Sequence, residues 1–294
     1  MFDYATAFSR NLGLVSKEEQ QKLRETRVAI AGVGGVGGAY ALALARLGIG
    51  HFHIADLDVF ELPNMNRQFG ATMSTLNREK TTVLMEMIKE INPTAEVQCF
   101  NTGFNTENAD AFLSGVQVAV DGIDFFTIGS RRLYHKTAQR LGVPVLFAAP
   151  VGFGGTLHCF SPTGMSFDDY FAIDDGMTKA EQILMFGLGI TPRLLQRSYF
   201  SPGQLNLEVQ TAPSLAPGVF FAAGLVAAEA VNLVLYRRPM KAVPHYLQFD
   251  PIVRRLAVGK LWGGNRNPLQ RLKKQWVFWQ FPSFKEQCKK NKKS

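Results

Sequence analysis

The apolar run Arg27–Ala31 (RVAIA) passes without a break into GVGGVGG at residues 32–38 and then into helix formers at residues 39–47. A chain leaves a buried strand and enters a helix in so few residues only if glycine makes the turn and lets the helix pack close to the strand. A second run, His51–Ala55 (HFHIA), ends at Asp56, so the pattern predicts a parallel β-α-β unit. It recurs: helix formers at residues 78–91 stop at Asn92-Pro93, strands are predicted at Glu96–Phe100 and residues 117–121, and a helix at 130–141 leads to a strand at 144–149. Such alternation predicts an α/β fold, a doubly wound, mainly parallel Rossmann-like sheet with helices on both faces. Residues 153–161 open an antiparallel extension, and residues 246–249 and 254–258 form a last hairpin. Residues 167–216 are rich in Asp, Gly, Pro, Ser and Gln and read as long functional loops with short helices.

Composition narrows the class. With 294 residues, 46% hydrophobic and 19% charged, the chain can bury a large core, which excludes disorder, collagen and a coiled coil. Its three cysteines, Cys99, Cys159 and Cys288, include no CxxC pair, so neither a disulfide framework nor a thiolate zinc site is expected. A reducing, cytoplasmic setting follows, and MFDYATAFSRNLG lacks a signal-peptide pattern. Cys159 reads as a core residue and Cys288 as an exposed one. The apolar stretch 217–236 could span a bilayer by length, but Glu229 and Asn232 interrupt it, so a buried core helix is expected. The five histidines show no metal-ligand spacing, although His51 and His53 share a strand face.

The charge is unevenly placed. From Arg254 onward there are 12 basic residues and one acid, which leaves the first 253 residues at −3 within a total of +8. That tail carries all three tryptophans, Trp262, Trp276 and Trp279, together with Phe278, Phe281 and Phe284. Three readings are open for it: docking on the chain's own body or a twin subunit, contact with an anionic membrane as a peripheral association, or an RNA-binding arm.

Gly32, Gly34 and Gly37 satisfy GxGxxG, and Asp56 lies 22 residues beyond Gly34. That much predicts phosphate at a helix N-terminus, from NAD or from ATP. The next segment separates the two. Asp56-Leu57-Asp58 is followed by Asn64, Asn66, Arg67, Gln68 and Lys80, a set of cations and carboxylates that suits a triphosphate with its metal and that a dehydrogenase does not need.

With these residues in view the chain resembles the ThiF/MoeB/HesA, ubiquitin-activating-like family of ATP-dependent adenylyltransferases. The match comprises Ser9-Arg10, residues 18–23 (EEQQKL), GVGGVGG, Leu47-Gly48-Ile49-Gly50, Asp56-Leu57-Asp58, Asn64-Met65-Asn66-Arg67-Gln68, Lys80, Ile91-Asn92-Pro93 and Asp121-Gly122-Ile123-Asp124, in family order over about the first 150 residues. The resemblance implies ATP, Mg2+ and AMP transfer to a carboxylate, usually the C-terminus of a ubiquitin-like or sulfur-carrier protein or a peptide. It implies a nucleotide site of Gly32, Gly34, Gly35, Gly37, Asp56, Asp58, Asn66, Arg67, Gln68 and Lys80. Within that site Asp56 would face the ribose and Asp58 the phosphates. Asp124 would hold the metal, and Arg10 would reach the partner's ATP across a homodimer; Arg10, Arg67, Lys80 and Asp124 would thus serve catalysis.

The chain departs from the family in three ways. It has no zinc-binding CxxC pairs, so no zinc is expected, and it has no cysteine between Cys159 and Cys288, so no enzyme thioester is expected; Thr211 and Ser214 stand in the segment 206–218 instead. Phe125 replaces the usual asparagine after the metal aspartate. The expected organisation is a stand-alone adenylating domain over residues 1–253, with a nucleotide-binding half to about residue 150 and a substrate and crossover-loop half over 151–253, then a final strand and basic aromatic tail over 254–294. Competing readings are a tRNA threonylcarbamoyladenosine dehydratase-like enzyme, an NAD-dependent oxidoreductase and a non-catalytic ATP-binding scaffold.

Overall fold

The computed structural model describes residues 1–200, 209–280 and 288. In chain order the elements are α1 (Tyr4–Ala7), α2 (Lys17–Glu25), β1 (Arg27–Ala31), α3 (Gly35–Arg46), β2 (His51–Ala55), α4 (Lys80–Ile91), β3 (Glu96–Phe100), α5 (Ala109–Leu113), β4 (Val118–Asp121), α6 (Ile128–Arg140), β5 (Val145–Val151), β6 (Gly154–Phe160), α7 (Phe167–Phe171), α8 (Lys179–Ile190), α9 (Ala216–Val234), β7 (His245–Asp250), β8 (Arg255–Lys260) and α10 (Pro268–Gln280). One eight-stranded sheet runs β3-β2-β1-β4-β5-β6-β7-β8, parallel through β5 and antiparallel from there on. This is the doubly wound, mainly parallel α/β sheet with an antiparallel extension that the alternating pattern predicts. β8 joins this same sheet, although the positive charge starts at its first residues.

The sheet separates two cores. On one face α3, α4 and α9 cover Val28, Ile30, Phe52, Ile54 and Leu146; on the other α5 to α8 cover Ala29, Ala119, Phe147 and Phe160. Helix α9 is the one helix among the described residues long and apolar enough to cross a membrane. It packs on β5, β6 and α3 as a core helix, and its Glu229 bonds Asn232 Nδ2 at 2.9 Å and Arg238 at 3.1 Å.

Two expectations are corrected. Residues 167–216 contain a full-length helix, α8, and not only loops with short helices; eight of its 12 residues are buried, so no amphipathic period marks it. Gly189 within it lets the Phe171 ring approach to where a Cβ would stand. Helix α5 was not anticipated at all. Cys288 is buried, 3% exposed, and not exposed as its lysine-rich surroundings suggested. A thiol partitions like a small apolar group whatever the charge of its sequence neighbours. Cys159 is buried as expected, and burial pushes its thiol far above the usual range.

The start of the tail docks on the body. Asn265 Nδ2 donates to the carbonyls of Phe171 (2.9 Å) and Met185 (2.6 Å), which fastens the turn before α10 to α7 and α8, and Gln270 Nε2 donates to the Leu188 carbonyl (3.0 Å), which fastens α10 to α8. Phe281, Phe284 and the lysines from 285 onward lie outside the described residues.

A buried histidine makes the fold sensitive to acid. His158 on β6 is enclosed by Phe147, Tyr170 and Phe171, and burial pushes its pKa down to about 3. The unfolded chain protonates this imidazole near its ordinary pKa of ~6.5, so it binds the extra proton first and stability falls as pH drops from there toward 3. His158 alone is expected to remove about 2 kcal/mol between pH 7 and pH 5. Denaturant titrations at both pH values check this: His158→Phe should flatten the pH dependence, and an unchanged slope would refute the assignment.

Candidate active site

The strand order reverses between β1 and β4, and crevices at such switch points, outside the carboxyl ends of parallel strands, are where α/β sheets bind ligands. Ala31 and Asp121 are register partners there, so the turn after β1 and the loop after β4 leave the sheet side by side. Gly32 has a φ of +79°, and a Cβ on Gly37 would stand 1.7 Å from the Gly32 carbonyl oxygen. These two glycines, with Gly122, let β1, α3 and the β4 loop meet backbone to backbone.

Gly34 and Gly35 lie on the open side. Gly34 is the N-cap of α3 and supplies no side-chain cap, the first turn holds no acid, and the space beside Gly35 is empty. The first amides of α3 thus have no side-chain cap, and the helix field there favours an anion. Gln68 lies over Gly34, 3.2 Å from a Cβ built there, and is 7% exposed. Its Oε1 is buried and finds no hydrogen-bond partner among the described residues, a state that native structures normally resolve with water or ligand.

Asp56 closes the turn from below. Its Oδ2 accepts from Val33 N (2.8 Å) and its Oδ1 from Asp58 N (3.0 Å), and burial raises its pKa despite Lys80 and these amides. Lys80 opens α4, buried, with Nζ 2.8 Å from Asp58 Oδ2; that contact uses one of its three donors. Arg67 Nη1 donates to Asn66 Oδ1 (2.9 Å) and to the Pro63 carbonyl (3.1 Å). Burial lowers the Arg67 pKa, and the nearby Asp124 charge opposes that shift. Asn66 Nδ2 also donates to the Ser214 carbonyl at 2.9 Å, which brings the chain just before α9 to the site. Thr211 is exposed and Ser214 half-buried; residues 206–208 of that segment lie outside the described residues.

Asp124 is exposed, with Oδ2 accepting from Phe126 N at 2.9 Å. Its loop is held from beneath by Arg131, which the sequence analysis did not single out. Arg131 Nε donates to Asp121 Oδ2 (2.8 Å), Nη1 to the Asp124 carbonyl (3.3 Å) and Nη2 to the Ile123 carbonyl, with its guanidinium over the Phe186 ring at 4.3 Å. His135 Nε2 adds a contact to Asp121 at 3.0 Å. Burial acts to raise the Asp121 acid, but Arg131 and His135 outweigh it and hold the group below the usual range. The available signal was a lone acid ending the apolar strand VAVD, since a buried carboxylate requires a cation. Phe125 packs on Phe126 and Phe186, so α8 is the surface that receives it.

Arg10 stands apart from this group. It is exposed in a 3-10 turn at Ser9–Asn11 and lines a cleft of about 610 Å³ with Leu42, Arg46, Met87 and Ile91, at the C-terminal ends of α3 and α4. Helix α3 has 12 residues, so this end is about 18 Å from the glycine turn of the same chain.

The donors and charges suit a polyphosphate: open α3 amides, Arg67 and Lys80 for its charge, and Asp58 and Asp124 for a cation. Among the described residues no cluster of three His, Cys, Asp or Glu could hold a metal by itself. Mg2+ shared with phosphates needs only one or two carboxylates, so Asp124 fits it.

Comparison with known proteins identifies the family and the fold. The ThiF family model matches residues 8–268. The chain is 31% identical over 161 residues to a probable molybdopterin-synthase adenylyltransferase from Porphyra purpurea, covering 54% of this chain and 42% of that protein. It is 36% identical over 118 residues to a tRNA threonylcarbamoyladenosine dehydratase from Bacillus subtilis (strain 168), covering 40% of this chain and 46% of that one. It thus spans less than half the length of both curated relatives. The crystal structure of PaaA superposes with a TM-score of 0.65 at 18% identity, covering 87% of this chain and 73% of that one, a likeness of fold.

Proposed function

The chain belongs to the ThiF family, and on that premise we propose that it is an adenylyltransferase that activates a carboxylate with ATP and releases pyrophosphate. The observation that carries this reading is the set of contacts around the start of α3: Asp56 on Val33 N, Lys80 on the neighbouring Asp58, Gln68 over Gly34, and the Asp124 charge acting on Arg67. An NAD-dependent oxidoreductase would leave Arg67 and Lys80 without work.

In this reading the α3 amides and Lys80 bind phosphate oxygens, and Lys80 releases Asp58 as they arrive. Arg67, near the Asp124 charge, would hold the triphosphate and offset charge in the transition state. Asp56 keeps a free lone pair on each oxygen for a ribose hydroxyl. Mg2+, held by Asp124 and the phosphates, would supply further charge neutralisation. A substrate carboxylate oxygen then attacks the α-phosphorus, the bond to the bridging oxygen of the β-phosphate breaks, and pyrophosphate leaves. We assign the carboxylate to the C-terminus of a ubiquitin-like or sulfur-carrier protein or a peptide. The contact of Asn66 with Ser214 brings the chain before α9 to the place where such a tail would enter. No enzyme thioester takes part: no cysteine lies between Cys159 and Cys288, and Cys159 is buried with its thiol disfavouring ionisation. The working unit is a homodimer, because Arg10 is distant from its own glycine turn.

A second reading has its own support. The likeness to a tRNA threonylcarbamoyladenosine dehydratase favours a carboxylate carried on tRNA. ATP–pyrophosphate exchange with Mg2+ decides between them, using di-glycine-ended carrier proteins and threonylcarbamoyl-adenosine tRNA as substrates. Exchange with either identifies the carboxylate. ATP binding without exchange would point to a scaffold, and no ATP binding by calorimetry would overturn the proposal.

A further inference from the structure

Among the described residues, nothing covers one apolar face of helix α10. Gln270 is buried against α8, and Val277 and Phe278 pack on the core beneath. Leu269 (65% exposed), Leu272 (59%), Trp276 (44%) and Trp279 (75%) face outward. At 3.6 residues per turn these four fall within an arc of about 80°, so they form one continuous stripe along the helix. Tryptophan is usually well buried in a folded chain, yet here Trp262, ahead of the helix, is exposed as well.

The charge around the stripe has one sign. Residues 254–280 contain Arg254, Arg255, Lys260, Arg266, Arg271, Lys273 and Lys274 and no acid. Among the described residues only Arg266 of this set is ion-paired, with Asp169, and Lys273 is turned to the body, its Nζ donating to the Pro192 carbonyl and to Gln270 Oε1. The sequence then continues with Lys285, Lys289, Lys290, Lys292 and Lys293 against Glu286.

We propose that this face of α10 docks on an anionic lipid surface. Two leucines and two tryptophans on one side of a helix bordered by cations are the composition of a helix lying in the interface, where the indoles sit at headgroup depth and the cations meet lipid phosphates. Other partners fit the charge or the stripe less well. A second copy meeting the same face would bring one unpaired cationic border against another. An RNA would find bases to stack on the indoles, but Leu269 and Leu272 would give it nothing.

The test uses the whole chain and two kinds of vesicle, phosphatidylcholine alone and phosphatidylcholine with phosphatidylserine. The protein should co-sediment with the anionic vesicles only, lose that binding as salt is raised, and shift its tryptophan emission to the blue on binding. Leu272→Glu should weaken vesicle binding at least about tenfold, since one buried leucine is lost and a charge added. Trp279→Ser, at the most exposed position of the stripe, provides a milder variant, and both should keep the wild-type melting temperature because Gln270 and Val277 are untouched. No binding to anionic vesicles would overturn the proposal. It would equally fail if, without vesicle binding, an RNA oligonucleotide bound tightly, or if the mass by light scattering were that of a dimer which Leu272→Glu dissolves. None of these outcomes depends on adenylation.

Discussion

Asp124→Ala is expected to lower ATP–pyrophosphate exchange by about 10³-fold or more, while the fold survives. The reason lies in how the loop is held. Arg131 grips the main-chain carbonyls of Ile123 and Asp124 and the carboxylate of Asp121, so the Asp124 side chain contributes only one bond, to Phe126 N. Losing that exposed bond costs about 1 kcal/mol, a melting shift of a few degrees. Asp124→Asn sharpens the test, because an amide can still accept from Phe126 N but carries no charge for a cation. Both variants should be equally inactive and both should retain ATP binding in the absence of Mg2+. If either kept activity within a few-fold of wild type, Asp124 would have no part in the chemistry.

How much was legible in the sequence depended on whether a signal was local. β1 and β2 end where their apolar runs do, because a strand covered on both faces is apolar nearly throughout and stops at the first charge or turn, whereas β3 (EVQCF) lies at the sheet edge and stays partly exposed. The glycine turn and Asp56 were legible for the same reason: the chain must turn within a few residues, and the acid ends a strand. Helix α8 was not, since it is apolar nearly all round and carries Gly187 and Gly189. Its one local sign is the capping box in which Thr178 caps Glu181 N and Glu181 returns to Thr178 N. In the candidate site, the side chains proposed to meet a ligand sit in short motifs and could be enumerated. Those that position them sit elsewhere: Arg131 acts across a loop on Asp121, and Ser214 reaches Asn66 from 148 residues away. Such contacts are made by the fold, so no spacing rule announces them. Phe125 shows the reverse case, a visible departure whose cause, the packing surface of α8, was hidden.

Mixing two inactive variants is expected to restore activity. Arg10 and Asp124 lie at opposite ends of α3 in one chain, so a site that needs both must take its arginine from a second subunit. Arg10→Ala should by itself cost about 10³-fold, the scale of an arginine supplied in trans to a phosphate in its transition state. In a two-fold symmetric dimer of Arg10→Ala with Asp124→Ala, one site joins an intact Asp124 to an intact partner arginine and the other lacks both. Random exchange makes half the dimers mixed, each with one whole site, so an equal mixture should reach about a quarter of wild-type exchange. The recovery should grow with the measured fraction of mixed dimers, which native mass spectrometry can follow, and should be absent when either variant is mixed with itself. Mixed dimers that form and remain inactive would place Arg10 outside the site. An Arg10→Ala protein with full activity would make the cleft beside Leu42 and Met87 a feature of the surface alone.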